Sequence, residues 1–120
     1  MITAAQARNL TQLSDTALER FLSIVGPEVE KAATAGRNEL DLGTILALKS
    51  MPNSEEISFS LEQFNKPKVS AYQQRLLDKF SALGYAARLT PTGGLYVPRG
   101  RQDDDGNGPL FQQYSIIIRW

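Results

Sequence analysis

The stretch that most restricts how this chain can fold is 114–120, Tyr-Ser-Ile-Ile-Ile-Arg-Trp. Successive residues of a β-strand point to opposite faces. Tyr114, Ile116, Ile118 and Trp120 would therefore share one face, and Ser115, Ile117 and Arg119 the other. Three β-branched residues in a row favour strand over helix. A strand this apolar with a bare edge would recruit other chains. It is expected to lie in the centre of a sheet or to be paired in an assembly. Trp120 is expected to be packed, in this domain or against a neighbour. A chain of 120 residues makes one domain, 1–120, with one modest core.

The helices that would cover such a sheet are legible from apolar spacing. A short opening helix is expected over 3–10, with Thr3 as its N-cap. A longer helix is expected over 16–35. Thr16 and Glu19 stand at capping-box spacing. Leu18, Phe21, Leu22, Val25, Val29, Ala32 and Ala33 fall on one helical face. Gly26-Pro27 predicts a kink or break, and the apolar stripe keeps phase across it, which favours a kink. Gly36 stands where a left-handed C-cap belongs.

Beyond it, 38–42 reads as a short strand, and 44–48 as a strand or one helical turn. Ile57, Phe59 and Leu61 alternate with Ser58 and Ser60, the period of a half-buried strand. A second helix is expected over 67–83, with Pro67 at its first position. Its expected buried stripe is Val69, Tyr72, Leu76, Phe80 and Leu83, and Gly84 would end it. The alternation of Tyr85, Ala87 and Leu89 predicts a strand. Pro91-Thr92-Gly93-Gly94 predicts a turn, and 95–97 a second short strand. Residues 99–109 form a long polar loop, exposed or functional. The expected architecture is α+β: two amphipathic helices, 16–35 and 67–83, packed on a small antiparallel sheet built mainly from 38–42, 85–90, 95–97 and 111–120.

Composition enters where function is concerned. The chain has no histidine and no cysteine. Ser-His-Asp and Cys-His nucleophiles are excluded, as are disulfides and zinc sites of the usual Cys/His kind. Glu55-Glu56 and Glu28/Glu30 give no paired-carboxylate signature. Gly93-Gly94 lacks the GK[ST] tail of a phosphate loop. No enzyme activity, cofactor or small-molecule substrate is expected. No apolar run approaches the ~20 residues that span a bilayer. Residues 1–10 lack the apolar core of a signal peptide, so cytoplasmic synthesis and no membrane association are expected.

Thirteen bases balance thirteen acids. The balance is a cancellation. Residues 1–65 hold five bases against nine acids, and 66–101 hold seven bases against one. Such asymmetry points to an anionic partner, or to two halves that attract each other or solvate their faces. Asp103, Asp105, Asn107 and Gly108 match positions 1, 3, 5 and 6 of a calcium loop. Tyr114 stands where the bidentate glutamate belongs, and the flanks read as strands. A looser calcium site and an acidic hairpin tip are the two readings left. The order helix, strand, helix, hairpin is similar to a winged helix. In that reading Lys66, Lys68, Arg75, Lys79, Arg88, Arg99 and Arg101 face phosphates. The region before the second helix, 51–66, looks like strand and loop rather than the helix a winged helix needs.

Four stretches carry a family resemblance: ITAAQARNLT, EKAATAG, FSALGY and the closing IIIRW. With them the chain resembles a loose class of small proteins encoded by tailed bacteriophages; 43–66 contributes nothing to the likeness. The resemblance implies a non-enzymatic accessory or virion protein of the head, neck or tail, acting by contact with other virion proteins or with itself. It carries over no functional residue. The partner-binding candidates, read from charge and position, are Lys68, Arg75, Lys79, Arg88, Arg99, Arg101 and Trp120. A winged-helix-like nucleic-acid binder and a phage inhibitor of a host protein are the alternatives.

Overall fold

A computed structural model describes residues 1–120, with side chains described for 1–9 and 15–120. The chain divides into two compact units, Met1–Arg37 and Asn38–Trp120. The class is α+β, with two long helices and a four-stranded antiparallel sheet.

The first unit is one helix, α1 (Ala4–Thr34). Thr3 starts it through a capping box: the Gln6 N–H donates to Thr3 Oγ1 at 3.2 Å, and the Thr3 N–H donates to Gln6 Oε1 at 2.9 Å. The two helices expected over 3–10 and 16–35 are therefore a single one, and only the side chains of 10–14 lie outside the described residues. Thr16 lies within α1, so it does not cap a second helix with Glu19. Nothing in the sequence from Ala4 to Val25 is a glycine or proline that would stop the helix. Gly26-Pro27 does not break it either. Pro27 removes one donor, a loss that a long helix absorbs. Leu18, Phe21, Val25 and Ala32 are buried, at the expected spacing. At the C-terminal end Gly36 has φ +84°. The Arg37 N–H donates to Ala32 O and the Gly36 N–H to Ala33 O, the paired bonds of a Schellman motif.

The second unit is organised by the terminal strand. β4 (Phe111–Arg119) is central, and every other strand pairs with it antiparallel. On one edge lies β3 (Ala86–Tyr96). The other edge is shared by β1 (Glu39–Asp41), opposite 117–119, and β2 (Ser58–Glu62), opposite 111–115. The half-buried strand read at 57–61 is thus a full member of the sheet. Ile116 and Ile118 are completely buried, each contributing ~1.5–3 kcal/mol of transfer free energy. They point to the same side as Leu40 and the half-buried Phe59, Ala87, Leu89 and Tyr114. Leu42, Ile45, Leu48 and Ile57, also buried, continue the core. The run 44–48, open to two readings, contains the single helical turn α2 (Leu46–Lys49).

The second long helix, α3 (Ala71–Ala82), starts later than 67–83 predicts. Its N-cap is Ser70, in a capping box with Gln73, and Pro67 lies outside the helix. Pro67 suits a first turn, but the hydroxyl of Ser70 satisfies the orphan N–H of Gln73, which decides the start. The buried stripe shifts accordingly to Gln73, Leu76 and Phe80, while Val69 and Leu83, outside the helix, are exposed. Gly84, with φ +93°, stands at the expected stop.

The hairpin expected over 85–97 does not form. β3 runs unbroken through Pro91 and Gly94, with a register shift between Thr92 and Tyr96. Thr92 faces Gln113 and Tyr96 faces Phe111, so four steps on β3 oppose two on β4. The glycines supply a bulge instead of a turn, Gly93 at φ +69°. Gln112 Nε2 donates to Thr92 O at 3.1 Å and Gly93 O at 3.3 Å and holds the bulge to β4. Pro91 is tolerated because β3 is an edge strand.

Candidate functional site

Where β2 meets the approach to α3, the core face is left partly open. The gap is a groove of about 580 Å³. Phe59 and Leu61 of β2 line it, because alternation puts both on the face that carries Ile116 and Ile118. Phe59 is fixed by stacking on Tyr114 across the ladder, centroids 5.7 Å apart. Phe64 stands at the rim with 91% of its surface exposed. The rim also carries Glu55, Glu56, Lys66 and Lys68, two acids and two bases.

One buried side chain ties the groove's walls together. Gln73, 3% exposed, donates from Nε2 to Glu56 O at 2.8 Å and accepts the Ser70 N–H at Oε1, 2.9 Å away. The Ser70 hydroxyl donates to Glu56 Oε2 at 2.7 Å. The start of α3 and the segment before β2 are thereby locked in register. Nearby, burial pushes the Tyr72 phenol up from its ordinary value. A hydrogen bond from Asn53 works against that, the charge of Glu56 adds to it, and Arg75 offsets part.

Two smaller cavities accompany the groove. One, of about 280 Å³, is lined by Leu42, Leu48, Ile57 and polar neighbours. The other, of about 290 Å³, lies on the opposite face of the sheet between Glu39, Arg88, Thr90, Ile117 and Arg119. Arg119 Nε donates there to Glu39 Oε2 at 2.9 Å, an exposed pair of small energetic worth.

The bases singled out from sequence do not share one element. Lys68 belongs to the groove rim, and Arg75 and Lys79 to α3. Arg88 sits on β3, and Arg99 and Arg101 in a short 3₁₀ turn after it. Arg101 lies over the Phe111 ring, 5.5 Å from its centroid. Trp120 meets Tyr85 edge-to-face at 6.1 Å, and Tyr85 meets Phe80 in the same way. In the 103–108 loop, Asp103 Oδ1 accepts the N–H groups of Asp105 and Asn107 at 2.9 and 2.8 Å, which makes the segment a self-capped turn. Among the described residues no group of three Asp, Glu, His or Cys side chains is gathered as a metal site. No helix among them is long and apolar enough to cross a membrane.

Sequence reasoning missed Phe64 and the groove. The one available signal was an aromatic residue set among Gln63, Asn65 and Lys66, outside any apolar period. No family model, curated protein or solved structure matches the chain.

Proposed function

We propose that this chain is a non-enzymatic docking component that works by protein–protein contact, as an accessory protein in the head, neck or tail of a tailed-bacteriophage particle. The observation that carries the docking role is the open groove of Phe59 and Leu61 with Phe64 exposed beside it. An aromatic side chain left in solvent beside an apolar hollow is an arrangement that a docking partner would cover. Support for the particle comes from the resemblance of ITAAQARNLT, EKAATAG, FSALGY and IIIRW to small phage proteins. The lack of histidine and cysteine agrees with a role that involves no acid–base or thiol chemistry.

The test is co-sedimentation. The chain, tagged and produced during phage growth, is expected to travel with density-purified particles, and Phe64→Asp is expected to release it. A wild-type chain found wholly in the soluble fraction overturns the particle role.

A second reading has one observation in its favour. α3 leads into β3 and β4, an antiparallel pair whose connection begins with Arg99 and Arg101, while β1 joins the other edge of β4. That order is similar to a winged helix, with the wing between β3 and β4 rather than within 85–97. The helix that should precede α3 is reduced to the four residues of α2, and β2 intervenes. Nucleic-acid binding would be salt-dependent and would weaken on Arg75→Ala and Lys79→Ala.

A further inference from the structure

We propose that Asn107 is a site of spontaneous deamidation, and that its isoaspartyl product opens the turn formed by 103–107. The backbone nitrogen of Gly108, on losing its proton to solvent, attacks the side-chain amide carbon of Asn107. The new bond joins Gly108 N to Asn107 Cγ. The bond from Cγ to Nδ2 breaks, and the released nitrogen takes up a proton and leaves as ammonia. The product is a five-membered succinimide. Water then opens it at either carbonyl, giving aspartate or isoaspartate, and is the only co-reactant.

Three observations single out this peptide bond. The first is the nucleophile. Among the described residues the Gly108 N–H has no hydrogen-bond acceptor, so no bond must break to free it. Gly106, in the same loop, differs: its N–H donates to Asp103 O at 3.0 Å, which shields the Asp105-Gly106 step. The Ser54 N–H after Asn53 is held likewise by Met51 O at 3.1 Å.

The second is steric. Asn9, Asn38, Asn53 and Asn65 precede Leu10, Glu39, Ser54 and Lys66, whose side chains crowd the attack. Asn107 alone precedes a glycine. The fold requires that glycine, because a Cβ on Gly108 would lie 2.2 Å from Arg101 O and 2.8 Å from Val97 Cγ1.

The third is the amide itself. Asn107 is exposed, and its side chain makes no hydrogen bond to the described residues, so it can swing toward Gly108. Only its main chain is held. The Asn107 N–H donates to Asp103 Oδ1 at 2.8 Å, and Asn107 O accepts the Asp103 N–H at 2.7 Å. Isoaspartate inserts a methylene between those two groups, so they can no longer both meet Asp103. It also adds a fourth carboxylate to Asp103, Asp104 and Asp105.

Peptide mapping by mass spectrometry of the full chain, aged in mildly alkaline buffer and checked for unchanged circular dichroism, tests this. Asn107 is expected to convert at least about tenfold faster than any other asparagine, a difference of ~1.4 kcal/mol in barrier. The products are expected to be a mixture of aspartyl and isoaspartyl chains. Asn107→Gln, whose ring would be six-membered, is expected to stay unconverted over the same time. Hydrogen exchange at the Asp103 and Asn107 N–H groups should quicken in the isoaspartyl form. It should stay near the wild-type rate in Asn107→Asp, which carries the charge without the added backbone atom. An Asn107 that converts no faster than Asn38 or Asn65 overturns the site. Conversion to aspartate alone also overturns it, since a succinimide opens both ways. An isoaspartyl chain with unchanged exchange overturns the opening of the turn.

Discussion

The Ser115 hydroxyl donates to the Asp41 carboxylate across 74 residues of chain. Asp41 Oδ1 also accepts the Gly43 N–H at 2.9 Å, so one oxygen caps the 3₁₀ turn after β1 and anchors it to the central strand. Ser115 is 2% exposed, and the contact is part-buried. A Cβ on Gly43 would meet Ser115 Oγ at 2.7 Å and Asp41 Oδ1 at 3.2 Å. Ser115→Ala is therefore expected to cost ~1.5–3 kcal/mol, the range for a bond to a charged group. Gly43→Ala is expected to cost ~1–3 kcal/mol through overpacking. The double substitution should cost less than the sum, since the first removes the oxygen that the second strikes. Urea unfolding of the three variants measures it, and strict additivity would contradict the contact.

Gln73 holds Glu56 to the start of α3. Gln73→Ala is expected to lower stability by ~1–3 kcal/mol, because it strips the Glu56 carbonyl and the Ser70 N–H of a buried partner. Hydrogen exchange should quicken at 54–57 and 70–74 and stay unchanged in the β3–β4 ladder. Uniform quickening would mean that Gln73 serves the whole core rather than the groove wall.

Tyr72 gives the fold an alkaline limit. Burial raises its phenol, with Glu56 adding to the shift, so the folded state prefers the neutral form. That preference contributes in full below the unfolded tyrosine value of about 10 and is lost as pH rises through the higher folded value. Thermal unfolding midpoints should fall above about pH 10, and Tyr72→Phe should flatten the fall. An identical alkaline profile in Tyr72→Phe would assign the loss to another group.

Trp120 is the only tryptophan, and it closes the chain Phe80–Tyr85–Trp120 of edge-to-face rings. Its backbone N–H donates to Asn38 O at 3.0 Å and extends the β1–β4 ladder by one step. Trp120→Ala is expected to cost ~0.5–1.5 kcal/mol beyond the area lost. Tyr85→Ala should leave the fold standing and move the Trp120 emission to the red, since the residue is already 38% exposed and would lose the ring that packs against it. An unmoved spectrum would show that Tyr85 does not shield the ring.

Some of this molecule was written in short-range chemistry. The Thr3 cap and the left-handed stops at Gly36 and Gly84 involve residues at most five positions apart, and each was readable from those residues alone. The centrality of β4 followed from 114–120, because an unpaired run of isoleucines has no stable place at an edge. Other features depended on partners far along the chain. Pro91-Thr92-Gly93-Gly94 suits a turn or a bulge equally, and Gln112 on the opposing strand selected the bulge. The buried stripe of α3 moved from Val69 and Leu83 to Gln73 because Glu56, seventeen residues away, supplied the carbonyl that lets an amide be buried. The groove belongs to neither strand nor helix alone. It exists because β2 presents Phe59 and Leu61 on the core face beyond the cover of the described helix α3, which begins only at Ala71. Local hydrogen bonding and side-chain period determine which segments become helix or strand. Which apolar surface stays open is decided by how far each packed element reaches, and only the tertiary structure contains that.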